Sequence, residues 1–227
     1  MRKRRILIII AAVAAVGLLA AGAYAAYVLR PPATPSGEIT AVPLASNGLV
    51  VAEVIQAESQ ARFIVDEILN SNPKTVVGAT DQVAAQILID PANPANVQMG
   101  PVTVNARTLE TDNGFRNRAI QNEILDTGEF EFITFTPRTF AGLPESGDIG
   151  QTFTFQIIGD LTIRNVTREV TFDLTVTVDS DLRLHGLGTA TISRTDFDLG
   201  LIRLPDQVAS VEDAVIIELE FVAERVD

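Results

Sequence analysis

Residues 170–179 set Val170, Phe172, Leu174, Val176 and Val178 against Thr171, Asp173, Thr175, Thr177 and Asp179, a strict alternation of apolar and polar side chains. Successive side chains of an extended chain point to opposite faces, so this run is a strand with one buried and one wet face. The residues before it, Gly159, Leu161 and Ile163 and then Asn165, Val166 and Thr167, read as the end of a preceding strand and a tight turn. Asn can supply the unusual backbone angles of such a turn, and the pair predicts a hairpin.

Strand-like runs recur near 49–56, 61–67, 75–80, 83–90, 97–109, 130–140, 152–158, 182–193 and 214–223. Turn punctuation separates most of them: Asn72 and Pro73, Pro91 to Pro94, Gly142 to Gly150, and Asp179 to Asp181. One helix is predicted over 112–125, with Thr111 or Asp112 as its cap. Many strands at hairpin spacing with a single helical crossing predict an all-β antiparallel barrel or sandwich rather than alternating parallel units.

Charge and cysteine content exclude several functions. The five basic residues among the first 30 leave 12 against 29 acids in the remainder, a net charge near −17. Nucleic-acid affinity comes mainly from Lys and Arg neutralising phosphates, so no nucleic-acid partner is expected. The chain has no Cys, which removes thiol chemistry and Cys-ligated metals, and a single His, His185, which rules out any site needing two histidines. No nucleophile motif surrounds any Ser, so no catalytic residue and no metal site are assigned.

Residues 6–29 carry no charge and are bounded by Arg2, Lys3, Arg4 and Arg5 on one side and Arg30, Pro31 and Pro32 on the other. At about 1.5 Å per residue this run is long enough to cross a hydrocarbon core of roughly 30 Å. The basic cluster stays in the cytoplasm, which puts everything after Arg30 outside. Small residues at Ala21 to Ala26 leave a cleaved signal peptide as the alternative, although such apolar cores run only about 7–15 residues. Residues 31–48 contain four Pro, two Gly and two Ser without a periodic apolar face, and read as a linker. If flexible, it averages roughly 20–25 Å end to end. The organisation expected is therefore 1–30 anchor or signal segment, 31–48 linker and 49–227 folded domain.

Three blocks, 108–135, 159–178 and 190–201, give the chain a family likeness. Gly159, Leu161, Thr162, Asn165, Thr167 and Val170 resemble the G-x-L-T-x-x-G-x-T-x-x-V hairpin of the YceI-like family, with Asn165 in place of the second Gly. Arg194, Asp196 and Phe197 resemble the family's R-x-D-F turn, and Arg116 aligns with an Arg of its helical crossing. The chain departs from the pattern at Asn117, Ala119 and Glu131, so roles tied to those positions do not carry over. The resemblance implies a lipocalin-like barrel of about eight strands and a bound polyisoprenoid or prenyl-quinone lipid, without other cofactors, in a domain held at the outer face of a cell membrane.

On that reading the apolar lumen is lined by Phe130, Phe132, Phe135, Phe153, Phe155, Phe172, Leu174 and Val176, which dissolve a hydrocarbon tail. Arg116 and Arg118 form a polar rim for the ligand's head. The competing reading of the two arginines is a pair of solvated helix charges, with Asp112 one turn from Arg116. Arg194 reads as the anchor of a turn through Asp196 or Asp198. Composition and strand number suit equally a tethered β-sandwich with a filled core and no ligand, serving as an interaction or structural module.

Overall fold

The computed structural model describes residues 22–23, 26, 30–69, 71–90, 93–144, 149–179, 183–200 and 209–226. Its strands are β1 (Val50–Val54), β2 (Gln60–Leu69), β3 (Asn72–Thr80), β4 (Val83–Ala84), β5 (Gln86–Ile89), β6 (Gln98–Met99) and β7 (Val102–Asn105). After the helix α1 (Gly114–Ala119) come β8 (Phe132–Ala141), β9 (Thr152–Ile163), β10 (Val166–Val178), β11 (Leu184–Ser193), β12 (Ala209–Val211) and β13 (Ala214–Arg225). Among the described residues no helix is long and apolar enough to cross a membrane. The anchor expected over 6–29 lies outside the described residues except for Gly22, Ala23 and Ala26, which are helical.

All thirteen strands belong to one antiparallel sheet, in which ten follow the order β4-β7-β8-β9-β10-β11-β13-β1-β5-β6, while β2 branches from β13 and pairs in turn with β3 and β12. Because only Ala85 separates β4 from β5, and these pair with β7 and β1 respectively, the sheet curls round on itself. The strand count exceeds the eight expected because long extended runs are cut into pieces. A 3₁₀ turn at Gln56–Glu58 divides β1 from β2, which lie one after the other along the same edge of β13. The run 97–109, expected as one strand, becomes β6, β7 and a 3₁₀ turn at Ala106–Thr108. The helix is also shorter than 112–125. Asn113, rather than Thr111 or Asp112, caps it by accepting the Phe115 and Arg116 amides, and it continues as a π-helical turn over Ile120–Ile124.

The hairpin of β9 and β10 forms as the alternation requires, in register from Val166 opposite Ile163 to Thr177 opposite Thr152. Its two-residue turn places the positive φ on Arg164, at 56°, and not on Asn165. The first central position of such a turn is where the left-handed angle falls when the twist matches the strands. The Arg164 guanidinium then lies over the Phe130 ring, 5.8 Å from its centroid, and donates to the Ile124 carbonyl.

Inside the curled sheet, three phenylalanines sit beside glycines of neighbouring strands. A Cβ on Gly78 would overlap the Phe63 ring, one on Gly186 the Phe221 ring, and one on Gly159 both the Phe135 ring and the Thr136 carbonyl. Each ring therefore lies flat against the wall where a side chain is missing, and the middle of the sheet stays open. Gly188 is different: its Cβ would meet Leu174 at an ordinary 3.6 Å.

The segment 31–48, expected as a linker, lacks regular structure, yet it is not free. It lies along the outside of the sheet as a strap. Arg107 donates to the Thr34 carbonyl at 3.0 Å, the Ser36 amide to Glu131 at 2.7 Å, Gln56 to the Ile39 carbonyl at 2.7 Å, and the Leu44 amide to Gln86 at 2.5 Å. Ile39 is buried. At the start of the strap Arg30 pairs with Asp126 at 3.5 Å, and Asn122 donates to the Arg30 carbonyl at 2.8 Å. Partial burial pushes the Glu131 carboxyl up, but the Ser36 amide and hydroxyl, the Arg107 charge and the Asn105 amide outweigh it and hold Glu131 below its ordinary value.

Two expectations follow. Gly159→Ala should cost about 1–3 kcal/mol of unfolding free energy because the backbone at Thr136 cannot yield, whereas Gly188→Ala should be neutral or gain about 0.5–1 kcal/mol by stiffening a strand interior. Urea unfolding of the two variants separates them, and equal effects would contradict the packing. A carboxylate with a lowered folded pKa stabilises above its unfolded value and loses that contribution as pH falls through the folded one. Hydrogen exchange of the Ser36 amide should thus stay protected at neutral pH and lose protection well below pH 4.5, the ordinary value for this group, and Glu131→Gln should flatten the dependence.

Candidate functional site

The opening left by the rings is a cavity of about 270 Å³, close to the lower end of the roughly 300–1,000 Å³ typical of small-molecule pockets. Its walls are overwhelmingly apolar and come from most of the sheet: Phe63 and Val65 on β2, Val102 and Val104 on β7, Ile133 and Phe135 on β8, Ile157 and Leu161 on β9, Phe172 and Leu174 on β10, and Phe221 on β13. Ile120, Ile124 and Leu125, which follow α1, line it at one end. Phe135 and Phe172 meet edge to face with ring centroids 4.8 Å apart, which fixes both rings against the wall. An interior with such an opening does not fit the filled-core sandwich alternative.

Of the eight lumen residues read from the sequence, Phe135, Phe172 and Leu174 line the cavity. Phe132 does not: it is 38% exposed, because β8 alternates and turns Ile133 and Phe135 inward and Phe132 out. Phe130 precedes β8 and packs under Arg164. Phe153, Phe155 and Val176 have inward parity but lie toward the other end of their strands. There Val176 is buried in the core and Phe155 packs against it, while Phe153 is half-buried beyond the cavity. Phe63 and Phe221 line the cavity as well, outside the expected set. Their signal was a glycine at the paired position of the neighbouring strand, Gly78 and Gly186, which only the register reveals.

The polar groups at the cavity are few, and they are paired. Arg116 donates to Glu67 and to Asp112, each at 2.6 Å, and the Arg116 and Glu67 side chains are only 16% and 15% exposed. Lys74, above all by its hydrogen bond, holds Asp112 below the usual carboxylate range. Arg62 reaches Glu218 at 3.1 Å and Glu220 at 2.9 Å. Arg194 also faces the cavity, but its guanidinium donates to the Glu212, Leu199 and Val211 carbonyls. It anchors the turn through backbone, not through Asp196 or Asp198 as expected. Arg118 stands on the outer side of α1 against the Phe115 ring, 6.0 Å from its centroid, and does not line the cavity. His185 is exposed near Asp179, at 3.8 Å, and among the described residues no cluster of three or more metal-ligating side chains exists.

Arg116→Ala should cost on the order of 2–3 kcal/mol, because it strands a largely buried carboxylate, while Arg118→Ala should stay within about 0.5 kcal/mol. Double replacement of Arg116 and Glu67 by leucine should recover most of the loss. Urea midpoints report all three, and an Arg116→Ala variant as stable as the parent would contradict the pairing.

Among curated protein sequences no relative is detected. Solved structures do match. Burkholderia cenocepacia BcnA superposes with a TM-score of 0.60 at 22% identity over 74% of this chain and 98% of its own. A polyisoprenoid-binding domain from Saccharophagus degradans, implicated in plant cell wall breakdown, gives 0.60 at 14% identity over 78% and 99%. A Campylobacter jejuni YceI protein gives 0.52 at 20% identity over 66% and 84%. At these identities the likeness is one of fold. The model of the YceI-like domain matches residues 53–223, three quarters of the sequence and nearly all of the curled sheet, and the chain belongs to that family.

Proposed function

We propose that this protein is an exported, membrane-tethered carrier or sequestering protein for a neutral isoprenoid lipid. The observation that carries the reading is the apolar cavity whose cations are already engaged. Its walls solvate hydrocarbon without a hydrogen bond, and each methylene removed from water contributes roughly 0.8 kcal/mol. Phe135, Phe172 and Leu174 are the lining residues proposed to hold the prenyl tail, with Phe63 and Phe221 beside them. The description of the Saccharophagus degradans neighbour as polyisoprenoid-binding supports this ligand class, and the uncharged run at 6–29 supports the tether.

The rim favours an uncharged head, as in a prenyl quinone, over a polyprenyl phosphate. A phosphate would have to displace Glu67 from Arg116 or Glu218 from Arg62 in a body of net charge near −17. A carbonyl or hydroxyl head needs no such exchange. Binding here is solvation by protein rather than chemistry on the ligand.

Native mass spectrometry of the detergent-free domain, followed by organic extraction, tests the reading. A stoichiometric adduct that proves to be a neutral prenyl lipid is expected. Gly188→Phe, which inserts a ring where Gly188 faces the cavity beside Leu174, should reduce the adduct at least tenfold while the domain still folds. An unloaded parent that takes up no lipid from membrane extract, or a loaded Gly188→Phe variant, would overturn it.

A further inference from the structure

The strap and the helical crossing together fix where the chain enters the domain. Arg30 immediately follows the uncharged run at 6–29, and it is tied to Asn122 and Asp126 at the far end of the crossing that borders the cavity. From there the strap runs away from the crossing, past Glu131 and Arg107, to Gln56 and Gln86. The chain therefore enters the domain at the cavity's helical end, with no slack between the apolar run and the fold.

The same end carries exposed apolar side chains. Phe115 is 73% exposed on the side of α1 away from the cavity, and Ile68 and Leu69 are 43% and 44% exposed where β2 turns into β3. That turn is fixed to α1 and the residues leading into it by Glu67 to Arg116 and Lys74 to Asp112, both at 2.6 Å, so helix and hairpin end form one surface. Arg118 and Lys74 flank it, an amphipathic edge of the kind that settles at an interface with aromatic and aliphatic groups immersed and cations at headgroup level.

We infer that this surface is a bilayer-docking face: the strap holds the helical end of the cavity flat on the membrane, so that lipid passes between leaflet and lumen beside α1 without crossing water. The inference rests on the membrane-tether reading. It differs from the behaviour of a free 18-residue linker, which would let the domain tumble roughly 20–25 Å from the surface.

The absence of cysteine makes single labels possible in the full-length chain. Phe115→Cys and Ile149→Cys, the latter in the turn before β9 at the opposite end, carry an environment-sensitive fluorophore in phosphatidylcholine vesicles containing a shallow spin-labelled lipid as quencher. The label at 115 should be quenched at least threefold more than that at 149, and replacing 31–44 with Gly-Ser repeats of equal length should erase the difference. Equal, weak quenching at both sites on vesicle-bound protein would overturn the docking face while leaving the tether intact. Protein that fails to co-float with vesicles would overturn the tether and the docking together. A label at 115 that is shielded yet unquenched by lipid, with self-quenching that rises with protein density, would assign the face to a second copy and overturn the inference.

Discussion

The open interior depends on phenylalanine rings lying flat over glycines of neighbouring strands. An antiparallel sheet of this girth turns a large inward aromatic toward its centre unless the wall offers a recess. Gly78, Gly159 and Gly186 provide recesses for Phe63, Phe135 and Phe221, and the edge-to-face contact with Phe172 holds the Phe135 ring in its own. Glycine weakens a strand interior, so the arrangement costs some sheet stability. What it gains is an apolar volume with fixed walls, which is the property a hydrocarbon carrier requires and a well-filled core lacks.

A second constraint acts outside the sheet. Glu131, Asn105 and Arg107 form a compact polar hub: Asn105 is fully buried, donates to Glu131 at 3.2 Å and accepts the Arg107 amide at 3.0 Å, while Arg107 pairs with Glu131 at 2.8 Å. The strap completes the hub through its Ser36 amide and Thr34 carbonyl. Backbone groups of the strap thus add hydrogen bonds to largely buried, already paired side chains of the body, and these bonds hold the strap in place. Glu131, one of the positions where the sequence departs from the family pattern, is the residue that receives it.

The elements most legible in the sequence were those whose information is local. The alternation of β10 located both faces of that strand, and Phe172 and Leu174 do face the cavity. The same period, applied along β8, separates Phe132 from Phe135, which lie an odd number of positions apart. Arg116 stood out by motif, but its partner Glu67 lies 49 positions away on another strand and only the fold brings them together. Phe63 and Phe221 owe their place to cross-strand glycines, which no single-strand reading reveals. The strap is hardest of all, since proline and glycine content describes a segment's own preference and not the hydrogen bonds that a distant Glu131 or Gln86 offers it.

The central claim is that an isoprenoid chain occupies the space between the flattened rings. Isotope-filtered NMR on the labelled domain with an unlabelled prenyl quinone tests it atom by atom. The account predicts intermolecular contacts from the isoprene methyl groups to Phe135, Phe172 and Leu174 and none to the outward Phe132. Contacts confined to the outer face, or none from a ligand shown to be bound, would contradict it.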